Sequence, residues 1–244
     1  MAHGQECSTT KLKELDGMLE KLTDPANVHI STPSQHALKL IEALLEREQQ
    51  PVVCEVGIGI GATTAAICRL LANRGTYHLF DYSSRLDDLK PDLDGLGFTN
   101  VVYHGNSRRK LDSYNWALAQ MLLARRAAGG AVPVFDFVFL DGAHAFHHDA
   151  PAALLLKDLL KPGGVILFDD YDWSFAISPT MNPAVFPQIL EVYTDEQIKT
   201  PHVRLICDLF MDHDPDYQKV DIGYRSHEHR RAYRKLGPKE PRPA

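Results

Sequence analysis

Between residues 51 and 171, short apolar runs alternate with amphipathic stretches, and this alternation leaves few architectures open to the chain. PVVCEVG (51–57), TYHLFDY (76–82), NVVYHGN (100–106), FDFVFLDG (135–142) and VILFDDY (165–171) read as strands. Residues 62–74, 86–96, 115–128 and 146–160 read as the helices between them. Strands alternating with helices predict a parallel sheet covered on both faces. Runs without polar alternation suit strands buried on both sides. Two helices are expected ahead of this unit, at 10–22 and 34–48, and another at 185–199. HVRLICDLF (202–210) and KVDIGYR (219–225), joined by the polar, Pro-containing MDHDPDYQ, read as an antiparallel pair. The expected fold is α/β, a Rossmann-like doubly wound seven-stranded sheet, mostly parallel with a C-terminal antiparallel hairpin. Residues 1–225 are expected to form one domain with N-terminal helices, and 226–244 a basic, disordered tail.

Charge separates that tail from the body. The chain of 244 residues carries a net −6. From Arg225 to Ala244, seven Arg or Lys against two Glu make a net of +5, leaving −11 on the rest. Such a body repels phosphates, which argues against a nucleic-acid partner. No apolar run reaches the ~18 residues of a membrane span. Residues 1–12 lack the apolar core of a secretory signal, so a cytoplasmic location is expected. The four cysteines form no CxxC pair, and Cys54, Cys68 and Cys207 sit in apolar runs, as reduced thiols do.

In an open α/β sheet, ligands bind beyond the carboxyl ends of the strands, where the strand order reverses. Those ends are rich here in Gly and Asp. The first carries Glu55-Val56-Gly57-Ile58-Gly59-Ile60-Gly61-Ala62-Thr63. Glycines let the backbone turn and approach a ligand closely, and the following helix offers free N–H groups. Gly57, Gly59 and Ala62 also satisfy G-x-G-x-x-G/A, with Asp81 at a suitable distance, which leaves a dinucleotide-dependent oxidoreductase as an alternative. Glu55 disfavours a pyrophosphate and favours a cationic ligand with a free amino group. Asp81 ends the second strand, where a carboxylate accepts two hydrogen bonds from vicinal hydroxyls. Asn106 and Ser107 follow the third.

With the Leu160-Lys161-Pro162-Gly163-Gly164 turn, these residues resemble the class I S-adenosylmethionine-dependent methyltransferases over roughly residues 28–225. The resemblance implies S-adenosylmethionine as cofactor, held by Glu55, Gly57, Gly59, Gly61, Thr63 and Asp141. It further implies that Asp81 takes the ribose hydroxyls, and Asn106 and Ser107 the adenine or ribose.

Asp141 ends the fourth strand and Asp169-Asp170 the fifth. Neighbouring strands lie ~4.8 Å apart, so three carboxylates can converge. Unpaired, they would repel; a hard divalent cation such as Mg²⁺ removes that penalty. Asp141-Gly142-Ala143-His144-Ala145-Phe146 and Val165-Ile166-Leu167-Phe168-Asp169-Asp170 are similar to the Mg²⁺-dependent small-molecule O-methyltransferases of the catechol and macrolide-sugar types. His144 stands where the catechol group has a basic lysine. That departure favours a sugar or natural-product hydroxyl as acceptor over a catechol or phenol. His144 is the candidate proton acceptor, with Asp141 beside it. A zinc site at His144 and His148 is the weaker alternative, because no third soft ligand lies nearby. Tyr171, Trp173 and Phe175 are either pocket walls or a packed loop. A small-molecule substrate is expected, and homo-oligomerisation is left open.

Overall fold

The structure, a computed structural model, describes residues 17–28, 30–129, 133–223 and 229–237. Five strands run parallel: β1 (Val52–Val56), β2 (Thr76–Tyr82), β3 (Val101–Asn106), β4 (Phe135–Leu140) and β5 (Leu160–Phe168). Two more, β6 (Tyr217–Val220) and β7 (Arg231–Lys235), complete a sheet of order β3-β2-β1-β4-β5-β7-β6. β7 is antiparallel to both of its neighbours. The order reverses between β1 and β4, so the carboxyl ends of these strands open a crevice there.

Side chains alternate across the sheet with the period of two that a strand imposes. Val53, Tyr77, Leu79, Phe137, Phe139, Val165 and Leu167 face one layer of helices: α1 (Gln35–Leu45), α2 (Ala62–Leu71) and α3 (Ser83–Gly95). Cys54, Val56, Phe80, Val138, Ile166 and Phe168 face the other: α4 (Tyr114–Ala127), α5 (Phe146–Leu159) and α7 (His202–Phe210). Cys54, Cys68 and Cys207 are free and buried, as thiols used for packing are; Cys7 lies outside the described residues.

The sheet departs from expectation at its C-terminal end. Residues 202–210 form α7, not a strand. Val203, Ile206 and Cys207 are buried at i, i+3 and i+4, one helical stripe, and that face packs on the core. The antiparallel pair is β6 and β7, and β7 lies inside the segment expected as a disordered tail. The boundary at residue 225 is therefore corrected: the sheet ends at Lys235, and residues 238–244 lie outside the described residues. Tyr233 explains the difference. Its ring is buried edge-on to Phe168, and its hydroxyl donates to Asp212 at 2.7 Å.

Two helices also differ. The expected helix at 185–199 is a 3-10 turn, Pro187–Glu191, followed by the short α6 (Asp195–Lys199). Thr194 and Gln197 form a reciprocal capping box that starts α6 afresh. Of the expected helix at 10–22, the described part is a 3-10 helix, Met18–Thr23.

Candidate active site

The strand ends enclose a cavity of about 900 Å³ at the order reversal. Its lining includes Glu55, Gly57, Gly59, Thr63, Asp81, Asn106, Asp141, His144, Asp169 and Asp170.

The glycine loop is shaped by close approach. Gly57 has φ +86°, and a Cβ there would lie 1.8 Å from the Asp141 carbonyl oxygen. Only glycine fits both conditions. Gly59 and Gly61 also have positive φ, and Gly61 is the N-cap of α2. Asp81 is tied to this loop: one carboxylate oxygen accepts from the Ile58 amide at 2.9 Å, the other from its neighbour Tyr82 at 2.6 Å. The Thr63 hydroxyl accepts from the Ser34 amide at 3.0 Å, joining the loop to α1.

Glu55 is buried, and one carboxylate oxygen accepts from the hydroxyls of Thr64 (2.7 Å) and Tyr77 (2.5 Å). Burial raises its pKa from 4.5 to about 7, Asp81 adds to the rise, and the two hydroxyls oppose it. A carboxyl that keeps its proton in the fold but loses it near 4.5 when unfolded costs stability as pH rises from 4.5 to about 7. Glu55→Gln keeps an acceptor for both hydroxyls. Relative to the parent it is expected to gain up to about 3 kcal/mol across that window. Urea denaturation on either side of the window checks this.

At the end of β3, Asn106 is buried and faces the cavity, and its Oδ1 has no hydrogen-bond partner among the described residues. Ser107 does not join it. Its amide and hydroxyl bind Asp112 at 2.7 and 2.6 Å, closing an exposed turn in which Asp112, not Ser107, lines the cavity.

His144 and Asp170 both adopt the left-handed region, with φ of 52° and 51°. Non-glycine residues there mark strain, which gathers at working sites. The His144 loop is held by a buried pair that sequence reasoning missed. The Tyr114 hydroxyl donates to Asp149, and the Ala143 amide lies 3.3 Å from both side chains. His144 Nε2 stands 3.5 Å from Asp141 Oδ1 and 3.5 Å from Asp170 Oδ2, while its buried Nδ1 has no hydrogen-bond partner among the described residues. Loss of water contact first, then Asp169, Asp170 and Glu55, push the Asp141 carboxyl well above the usual carboxylate range. Loss of water contact also raises Asp170, against the pull of His144 and Arg230. Trp173 lines the cavity edge-on to His144, with ring centroids 5.7 Å apart, whereas Tyr171 and Phe175 are packed inside.

The expected Mg²⁺ cage of Asp141, Asp169 and Asp170 is not assembled. Asp169 is engaged by Arg230: Nε lies 2.8 Å from Oδ1, and Nη2 donates to Oδ2 at 3.2 Å. Among the described residues, no group of three or more His, Cys, Asp or Glu is arranged to hold a metal ion. That applies equally to zinc at His144 and His148. Arg230 was hidden in the sequence by its place in a charged segment that reads as solvated tail. The cofactor expectation fares differently. The Gly57 cradle, the paired amides at Asp81 and the unpartnered Asn106 oxygen suit an adenosine-bearing ligand.

Residues 54–171 match a family model described as a methyltransferase domain. No curated protein matches the chain. Among solved structures, the chain is similar to the O-methyltransferase TomG of Streptomyces achromogenes, involved in tomaymycin synthesis and solved with S-adenosylmethionine. Identity is 18%, 91% of each chain is covered, and the TM-score is 0.55. An O-methyltransferase of Bacillus cereus, in complex with S-adenosylhomocysteine, is 16% identical over 92% of this chain and 94% of its own, with TM-score 0.54. The methyltransferase PaMTH1 of Podospora anserina, also bound to S-adenosylhomocysteine, is 14% identical over 90% and 86%, with TM-score 0.56. At such identities the likeness establishes the fold, and the family model supplies the domain. Over residues 54–171 the chain matches the methyltransferase-domain model, and its seven-stranded fold is the one shared by the solved methyltransferases above.

Proposed function

We propose that the protein transfers a methyl group from S-adenosylmethionine to a hydroxyl of a small polar molecule. The observation that carries this is one cavity that joins the glycine loop and Asp81 to His144, flanked by Asp141 and Asp170. In this reading the loop and Asp81 hold the adenosine part. When bound, S-adenosylmethionine supplies an activated methyl on a sulfonium. The cavity's carboxylates suit that positive charge. They also suit an acceptor rich in hydroxyls, which favours a sugar or natural-product hydroxyl over a phenol. His144 takes the hydroxyl proton, and the neighbouring carboxylates stabilise the imidazolium that results. Trp173 and Met181 supply apolar wall. The acid-rich lining gives a nucleic-acid acceptor no support. Among the described residues, no helix is long and apolar enough to cross a membrane.

Thermal unfolding with ligand tests the cofactor. S-adenosylmethionine or S-adenosylhomocysteine at 100 times its Kd adds about 2.7 kcal/mol, expected to raise Tm by about 5–10 °C. NAD should give no shift, and Asp81→Ala should shrink the shift with the true cofactor. A shift with NAD alone would overturn the proposal. Labelled S-adenosylmethionine over a panel of sugars, glycosides and phenols then identifies the acceptor class.

A further inference from the structure

We infer that Arg230 supplies, from within the chain, the positive charge that the acidic strand ends require, and that this site works without a divalent cation. The inference rests on the methyltransfer reading above.

Register puts Arg230 there. β7 runs antiparallel to β5, with Arg231 opposite Phe168. One step further, Arg230 falls opposite Asp169, and the pairing continues through the Tyr171 amide, which donates to the His229 carbonyl at 2.8 Å. The guanidinium meets Asp169 two-pronged, at 2.8 and 3.2 Å, with the arginine side chain 25% exposed. Asp169 Oδ1 also accepts the Asp170 amide at 2.9 Å. Both carboxylate oxygens are therefore engaged, and a metal ion would have to compete with a fixed guanidinium to reach them. Asp141 and Asp170, which remain, face His144 Nε2 at equal distances. A guanidinium keeps its charge at all working pH values and matches a carboxylate fork. It does here what a bound cation would do for converging acids, and no chelator can strip it.

Arg230 acts as a positioning residue. It fixes Asp169; Asp169 fixes the left-handed turn at Asp170; and Asp170 faces His144. A second hold comes from α1, where Arg230 Nη1 lies 3.3 Å from His36 Nδ1.

Titration of the full chain with Mn²⁺, followed by electron paramagnetic resonance with and without S-adenosylhomocysteine, tests this. Mn²⁺ is expected to stay free, and neither EDTA nor millimolar Mg²⁺ should move Tm or turnover. Arg230→Lys keeps the charge and should remain folded and indifferent to metal. Arg230→Gln strands a buried carboxylate and should lower Tm by about 10 °C, with Mn²⁺ binding appearing in whatever fraction folds. About one Mn²⁺ per wild-type chain, displaced by Mg²⁺, would overturn the inference, as would loss of turnover in EDTA. Failure to bind S-adenosylmethionine would sink the methyltransfer reading, yet the Mn²⁺ titration would still decide the metal question.

Discussion

Removal of residues 226–244 is expected to abolish the soluble fold. The deleted segment reads as a charged tail, yet it carries β7, which joins β5 to β6. Without it, β6 has no partner in the sheet and β5 becomes a long, apolar open edge, a template for aggregation. Tyr233 and Ala232 lose their places on the two faces of the sheet. Lys235 Nζ no longer donates to the carbonyls of Lys157 and Leu160 at 2.6 and 2.9 Å. Asp169 loses Arg230, and stranding a buried charge costs about 3–5 kcal/mol. Losing the Tyr233 ring alone costs about 3–5 kcal/mol by comparison with other aromatic-to-alanine changes. Together these approach the ~5–15 kcal/mol that holds a typical domain. Soluble yield and the cooperativity of urea unfolding are the measurements. Tyr233→Ala serves as the graded version, and a chain cut after Gly237 is the control expected to fold. A soluble, cooperatively unfolding chain ending at residue 225 would show that the sheet is complete without β7.

His144→Ala is expected to lower kcat by roughly 10²–10⁴, the range for losing a general base, while the KM for cofactor changes little. The imidazole stands between Asp141 and Asp170, whereas the cofactor's expected holds lie at Gly57, Asp81 and Asn106. Cofactor binding measured separately by calorimetry should persist, which distinguishes lost chemistry from a collapsed site. A silent substitution would move the proton-accepting role to Asp141, whose carboxyl pKa is raised above the usual carboxylate range by burial and the neighbouring acids.

The parallel half of the sheet was legible because its strands are uniform apolar runs bounded by glycine and aspartate. β2 spans 76–82 in both readings, and β3 differs by one residue. The strand ends followed, and with them the positions of Glu55, Gly57, Asp81, Asp141 and His144. The C-terminal end was not legible, for two physical reasons. HVRLICDLF is rich in residues that suit a strand, but its buried positions 203, 206 and 207 keep helical spacing, and the packed face decided the outcome. RAYRK carries three cations in five residues, so its composition conceals a strand. Its charges find places by reaching past the sheet: Arg231 lies over the Tyr171 ring at 4.3 Å, and Lys235 reaches backbone carbonyls. The pairing of Arg230 with Asp169 was hidden for the same reason, since it depends on the β5–β7 register. Ser107 lies outside the cavity lining, with its amide and hydroxyl both bound to Asp112.

The position of β7 in the chain has a consequence for synthesis. Among the described strands it comes last in sequence, and it belongs between two strands made before it. A nascent chain that has released β1 to β5 can assemble the parallel half, but β6 must wait without its neighbour until residues 231–235 have left the exit tunnel. The same few residues bring the arginine that neutralises Asp169. Completion of the sheet and charge balance in the crevice therefore arrive in one step, so a partly made chain has neither a closed fold nor a settled site.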